Sequence, residues 1–127
     1  MRTFAEFAKQ HPPAQRWLRG NEWVYERGLR LYVRCSVPFR HTDYDLASVE
    51  ADKPGSGAFT RFLDQYEPLY TFYLENVLEP RLVGYYQRRG YTIVEGTAHC
   101  PCLRKEARAR VSDLPSVTTD DDNADQR

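Results

Sequence analysis

The stretch from Asp45 to Val77 changes its hydrophobic period twice, and no other feature limits the folds open to this chain so strongly. From Asp45 to Ala51 the residues alternate, with Leu46, Ser48 and Glu50 to one side and Ala47, Val49 and Ala51 to the other, which is the period of a strand. Lys53-Pro54-Gly55-Ser56-Gly57 interrupts it, and Phe59, Phe62, Leu63 and Tyr66 then recur at helical spacing. Pro68 closes that helix. Tyr70 to Val77 is rich in aromatic and branched residues and predicts a further strand, with Phe72, Leu74 and Asn76 on one face. Parallel strands need a crossover connection of a dozen or more residues, and a helix between the two strands supplies one. The unit is too short for a dinucleotide fold and long enough for one right-handed crossover within a mixed sheet.

The flanking sequence supplies the rest of that sheet. Thr3 is placed to cap a short helix bearing Phe4, Phe7 and Ala8 on one face, and Pro12-Pro13 stops it before a second turn carrying Trp17 and Leu18. From Glu22 to Glu26 the chain alternates, and after Arg27-Gly28 the row Leu29, Leu31, Val33, Cys35, Val37 alternates with Arg30, Tyr32, Arg34 and Ser36, predicting an antiparallel hairpin. Pro80 suits the first turn of a third helix with Leu82, Val83 and Tyr86 on its stripe, and Gly90 suits its end. Tyr91 to Glu95 and Ala98 to Arg104 form a closing pair across Gly96-Thr97. The fold expected is α/β, one domain over residues 1 to 105, with a mixed, mostly antiparallel sheet and helices on both faces. Residues 106 to 127 lack any sustained period and are rich in Ser, Thr and Asp, so a disordered acidic tail is expected there.

Charge and cysteine content narrow the functional classes. The formal charge is zero, but residues 106 to 127 hold six acidic and three basic side chains, which leaves the first 105 residues at about +3. That mild basicity suits a phosphate-bearing small ligand and falls short of the pI above about 9 that marks a nucleic-acid binder. Nucleic acid is therefore not among the expected partners. Cys35, Cys100 and Cys102 cannot all pair, and the amino terminus lacks the regions of a signal peptide, so a cytoplasmic setting is expected. No apolar run approaches a membrane span, and no membrane partner is expected.

Several residues are candidates for chemistry. In the glycine loop, backbone N–H groups can approach a phosphate, and the helix starting near Ala58 adds the positive end of its dipole. The alternative is a plain tight turn. Glu50 sits late on its strand, where a carboxylate can take a proton from an attacking amine. Glu75 and Asn76, on the neighbouring strand, are placed to bind an acceptor or an amide-bearing arm. His99-Cys100-Pro101-Cys102 lacks the spacing and the fourth ligand of a zinc site, so no metal is expected.

The run Glu75-Asn76-Val77-Leu78-Glu79-Pro80-Arg81-Leu82-Val83-Gly84-Tyr85-Tyr86-Gln87-Arg88-Arg89-Gly90-Tyr91, taken with the glycine loop, resembles the strand–helix–strand half of the GNAT acyl-CoA N-acyltransferase superfamily. There a tyrosine four residues before a glycine-aromatic pair precedes the next strand; Tyr86, Gly90 and Tyr91 match. Taken whole, Gly-x-Gly-x-Phe, Glu-Asn-Val and Arg-Gly-Tyr look like small GNAT-like proteins often encoded by bacteriophages, which would place the chain in a host cytoplasm. The resemblance covers roughly residues 22 to 104.

The resemblance implies that the strands on either side of the glycine loop and its helix splay apart to admit the pantetheine arm of acetyl-CoA. It implies Tyr86 as the acid that protonates the leaving thiolate, and Glu50 as the base. Ala47 and Val49 would contribute strand backbone to the cofactor, Lys53, Gly55, Ser56, Gly57 and Ala58 its pyrophosphate cradle, and Asn76 a contact from the far strand. The acceptor would be a small-molecule or protein amine. A rival reading stands beside it, a GNAT-shaped protein without catalysis that binds a partner protein. It is favoured by Asp52 and Glu79, which stand where the family commonly has Gln or Arg and Asn.

Overall fold

The computed structural model describes residues 1–15, 19–35, 37, 41–97 and 100–107. Trp17 and Leu18, His99 and the tail from residue 108 onward lie outside the described residues, so the expectations for them do too. The chain runs α1 (Phe4–Gln10), β1 (Gly20–Glu26), β2 (Leu29–Cys35), β3 (Tyr44–Ala51), α2 (Ala58–Tyr66), β4 (Phe72–Leu74), α3 (Pro80–Arg88), β5 (Thr92–Thr97) and β6 (Cys100–Lys105). These elements form a six-stranded sheet in the order β1-β2-β3-β4-β6-β5. Every neighbouring pair is antiparallel except β3 and β4, which the α2 crossover makes parallel. The architecture is thus mixed α/β on a mostly antiparallel sheet.

A seven-residue helix does not persist alone, and α1 is held at both levels. Thr3 and Glu6 form a reciprocal capping box, and Phe4 and Phe7 are fully buried. The Phe4 ring meets Tyr44, Phe62 and Tyr66 edge-on at centroid distances of 5.3, 5.0 and 4.7 Å, joining α1, β3 and α2 in one aromatic cluster. Below it lie Val24, Leu31, Val33 and Leu74 from the sheet, all in the same core.

At the other end, α3 is fastened to α2 by charge. Glu67 is buried just after α2, and Arg89 of the α3 end bonds both its oxygens, at 2.8 and 3.2 Å, while also reaching Asp64 at 2.7 Å. Lys105 of β6 adds a bond to Glu67 at 3.2 Å. A buried carboxylate is tolerable only when cations and donors surround it in this way.

Two expectations are corrected here. The helices do not divide between the two faces: α1 and α2 share one core, and α3 lies beside α2 through Phe59–Tyr86 and Thr60–Tyr85 contacts. Among the described residues no helix covers the opposite face of β1 to β3, where Arg30 lies over Trp23 and Arg34 over Tyr32. The packed chain also continues past residue 105, since Ala107 is fully buried and its N–H donates to Thr71 Oγ1 at 2.9 Å. No helix among the described residues is long and apolar enough to cross a membrane.

Candidate functional site

Strands β3 and β4 pair over only three positions, Tyr44 with Phe72, Asp45 with Tyr73 and Leu46 with Leu74. The Glu75 N–H to Leu46 carbonyl bond, at 3.3 Å, is their last link. Beyond it the strands part, and each has a local cause. On the β3 side, Val33 pairs with Leu46 and Tyr32 with Ser48, so Ala47 is an extra residue, a β-bulge that bends the strand. On the β4 side, Asn76 adopts a left-handed backbone with φ 51°, which asparagine tolerates better than most residues, and Val77 resumes pairing by donating to the Pro101 carbonyl of β6. One strand follows β2 and the other follows β6.

The gap between them is a groove of about 370 Å³. Ala47, Ser48 and Val49 form one wall, Glu75, Asn76 and Val77 the other, and Phe59 and Tyr86 come from the helices. Leu78 and Leu82 also line it, the first 71 % exposed. Of the residues expected from the sequence, the structure therefore brings together Ala47, Val49, Asn76 and Tyr86.

Tyr86 is buried on α3, with its ring packed against Phe59, Tyr85 and Tyr91. Burial, reinforced by Tyr85 and opposed by Arg89, pushes its phenol up to about 12, so it stays protonated near neutrality. Its hydroxyl donates to no other described residue, in contrast to the neighbouring Tyr85, which is bonded to Thr60 at 2.7 Å.

Glu50 does not join the groove lining. The bulge at Ala47 reverses the expected alternation, so Leu46 shares the core face with Val49 while Ser48 and Glu50 turn to the uncovered face. There Glu50 lies opposite Arg30 and bonds it at 2.8 Å. Glu75 and Glu79 are the carboxylates that line the groove, and Glu75 Oε2 meets Arg34 of β2 at 3.3 Å. Leu46 and Val49, both apolar and three residues apart, carry the mark of the extra residue, which strict alternation counted from Leu46 passes over.

Lys53, Gly55, Ser56, Gly57 and Ala58 sit beyond the groove, with Phe59 joining the two regions. Gly55 and Gly57 have φ 80° and 81°, the left-handed values for which only glycine pays no steric cost. No side chain caps the start of α2, so the first N–H groups of the helix present their positive end outward. Arg61 donates to the Ser56 carbonyl at 3.0 Å and stands beside this loop. The carboxylate of Asp52 is engaged by the Tyr25 hydroxyl of β1.

At the far wall, the thiols of Cys100 and Cys102 lie 3.5 and 3.7 Å from Asn76 Oδ1, and the Asn76 N–H points to Cys102 Sγ at 3.5 Å. The sulfurs thus brace the kinked asparagine. Among the described residues no group of three or more His, Cys, Asp or Glu is placed to hold a metal ion. No protein-family model matches this chain, and no curated protein or solved structure gives a significant match.

Proposed function

We propose that this chain is an acyl-CoA-dependent N-acyltransferase of the GNAT type, with acetyl-CoA as acyl donor and a primary amine as acceptor. The observation that carries the reading is the parting of β3 from β4, with an uncapped, glycine-led helix start beside it. An extended arm laid in that groove would find strand backbone on both walls, and its anionic end would lie toward Gly55, Ser56, Gly57 and Ala58, with Lys53 and Arg61 close by. The fit is favourable: the helix start has no competing side-chain cap, and Asp52 is turned to Tyr25.

Acyl-CoA supplies an activated thioester carbonyl. The protein's part is to orient it, to present bulged backbone near Ala47 to the carbonyl oxygen, and to move protons. Tyr86, protonated and reachable from the groove, gives its proton to the departing sulfur. Glu75 takes over the role expected of Glu50, since of the two carboxylates lining the groove it is the sheltered one, 11 % exposed against 50 % for Glu79. The cytoplasm, where thiols such as Cys35, Cys100 and Cys102 remain reduced, is the compartment this reading requires.

A second reading, a non-catalytic protein-binding module, draws support from Leu78, Leu82 and Val49, which leave apolar surface exposed along the groove. Calorimetry with acetyl-CoA separates the two. Binding to the parent chain, weakened at least tenfold in Gly57→Asp with its melting temperature lowered by only a few degrees, supports acyl transfer, because the new carboxylate repels phosphate at the helix entrance. No binding to the parent would sink the enzyme reading.

A further inference from the structure

We infer that the amine acceptor is a free α-amino acid, recognised as a zwitterion by Glu75 and Arg34 acting together. The inference rests on the acyl-transfer reading above and names the substrate class for the same groove. Glu75 is 11 % exposed in its side chain and lines the groove, whereas Arg34 is 41 % exposed and stands on the face of the sheet that no described helix covers. The two opposite charges are 3.3 Å apart. An α-amino acid carries an ammonium and a carboxylate on one carbon, so it presents the complementary pair at a similar spacing and in the same order. Its ammonium meets the sheltered Glu75 beside the thioester, and its carboxylate meets the outer, forked guanidinium, which binds carboxylates through two parallel hydrogen bonds. Tyr32, beneath Arg34, and Trp23, with its ring 5.3 Å from that of Tyr32, offer apolar wall to a side chain.

The remainder of this face argues against a polyamine. A polycation is held by a run of like negative charge, and here arginines alternate with the acids, Arg30 with Glu50 and Arg34 with Glu75.

The step balances without a further reactant. The ammonium loses one proton, through Glu75 to solvent, and its nitrogen lone pair attacks the thioester carbon. The new N–C bond forms, the C–S bond breaks, and the sulfur receives a proton from Tyr86. Tyr86 is reprotonated by the second proton of the nitrogen, relayed through solvent, leaving an N-acyl amino acid, free CoA thiol and one released proton.

The test uses the full chain, acetyl-CoA and thiol-release detection with neutral and acidic amino acids, their carboxamides, spermidine and a lysine-containing peptide. Amino acids should be acylated, with kcat/KM about 10- to 100-fold above their own carboxamides, the size of one lost charge-assisted pair. Arg34→Gln should remove that preference, bringing the kcat/KM ratio of acids to carboxamides to within a few fold of one, while CoA affinity stays near its parent value; Arg34→Lys should fall between. If Arg34→Gln does not fold, the comparison of acids with carboxamides on the parent chain decides alone. Equal rates for acids and carboxamides, preference for spermidine or the peptide, or CoA binding with no member of the panel acylated would each overturn the zwitterion assignment while leaving CoA recognition standing. Failure to bind CoA in calorimetry removes both.

Discussion

In Tyr86 the packing and the proposed chemistry reside in different atoms. Its ring fills space between Phe59 and Tyr91, while its hydroxyl carries no bond to a described neighbour. Tyr86→Phe should therefore change stability by less than about 1 kcal/mol and lower turnover on the order of 10²-fold at unchanged CoA affinity. Turnover within a few fold of the parent would make Tyr86 a packing residue only. The same hydroxyl sets an alkaline limit. The folded protein holds this proton up to about 12, whereas an unfolded tyrosine releases it near 10. Between those values the unfolded state binds fewer protons, so stability falls as pH rises. Tyr66 and Tyr91 are shifted upward as well, chiefly by burial, and act in the same direction. Melting temperatures of parent and Tyr86→Phe should run together below about pH 10 and diverge above it, with the parent falling faster.

At the level of elements, the periodic segments were legible and the irregularities that make the groove were not. Phe59, Phe62, Leu63 and Tyr66 announced α2, and Pro80 announced α3, because each rests on spacing and a local terminus signal. Strand β4 was expected over Tyr70 to Val77, yet only Phe72–Leu74 is regular. The chain breaks at Asn76, whose backbone is left-handed and whose side-chain carbonyl lies against the Cys100 and Cys102 thiols arriving from β6, a juxtaposition that no local pattern records. Glu75 was legible as an acceptor-binding candidate, but its union with Arg34, far away in sequence, was not. The kink makes a sharp prediction. Asn76→Gly, free of any penalty for positive φ, should stay within about 0.5 kcal/mol of the parent in denaturant unfolding. Asn76→Val, branched and ill-suited to that backbone, should cost about 2 kcal/mol. Equal losses in both variants would mean that the side-chain amide, not the backbone, holds the kink.

For the molecule as a whole, no described helix covers the outer face of β1 to β3; the row Arg30, Tyr32 and Arg34 reads as the outer side of a half-buried hairpin, but the row itself does not say whether a helix from elsewhere in the chain returns to cover it. The same ambiguity governs the carboxyl-terminal limit: Ala107 lacks any periodic context, yet it is fully buried against Thr71. Ending the chain after Ala107 should leave the melting temperature nearly unchanged, because the later sequence lacks apolar periodicity. Ending it after Lys105 should cost about 1 to 2 kcal/mol, from one buried hydrogen bond and a small apolar contact. Equal melting for the two truncations would show that Ala107 contributes nothing. The bulge at Ala47 carries a different lesson, at the level of the reading frame. Loss of that single codon would join Leu46 directly to Ser48 and continue the ladder from Val33 to Tyr32 without a break, with every other side chain of β3 keeping its present face. The shortened gene would specify the same core around a straightened strand, and the groove would lose its bent wall. A length change of one residue would thus separate the capacity to fold from the capacity to keep the groove open.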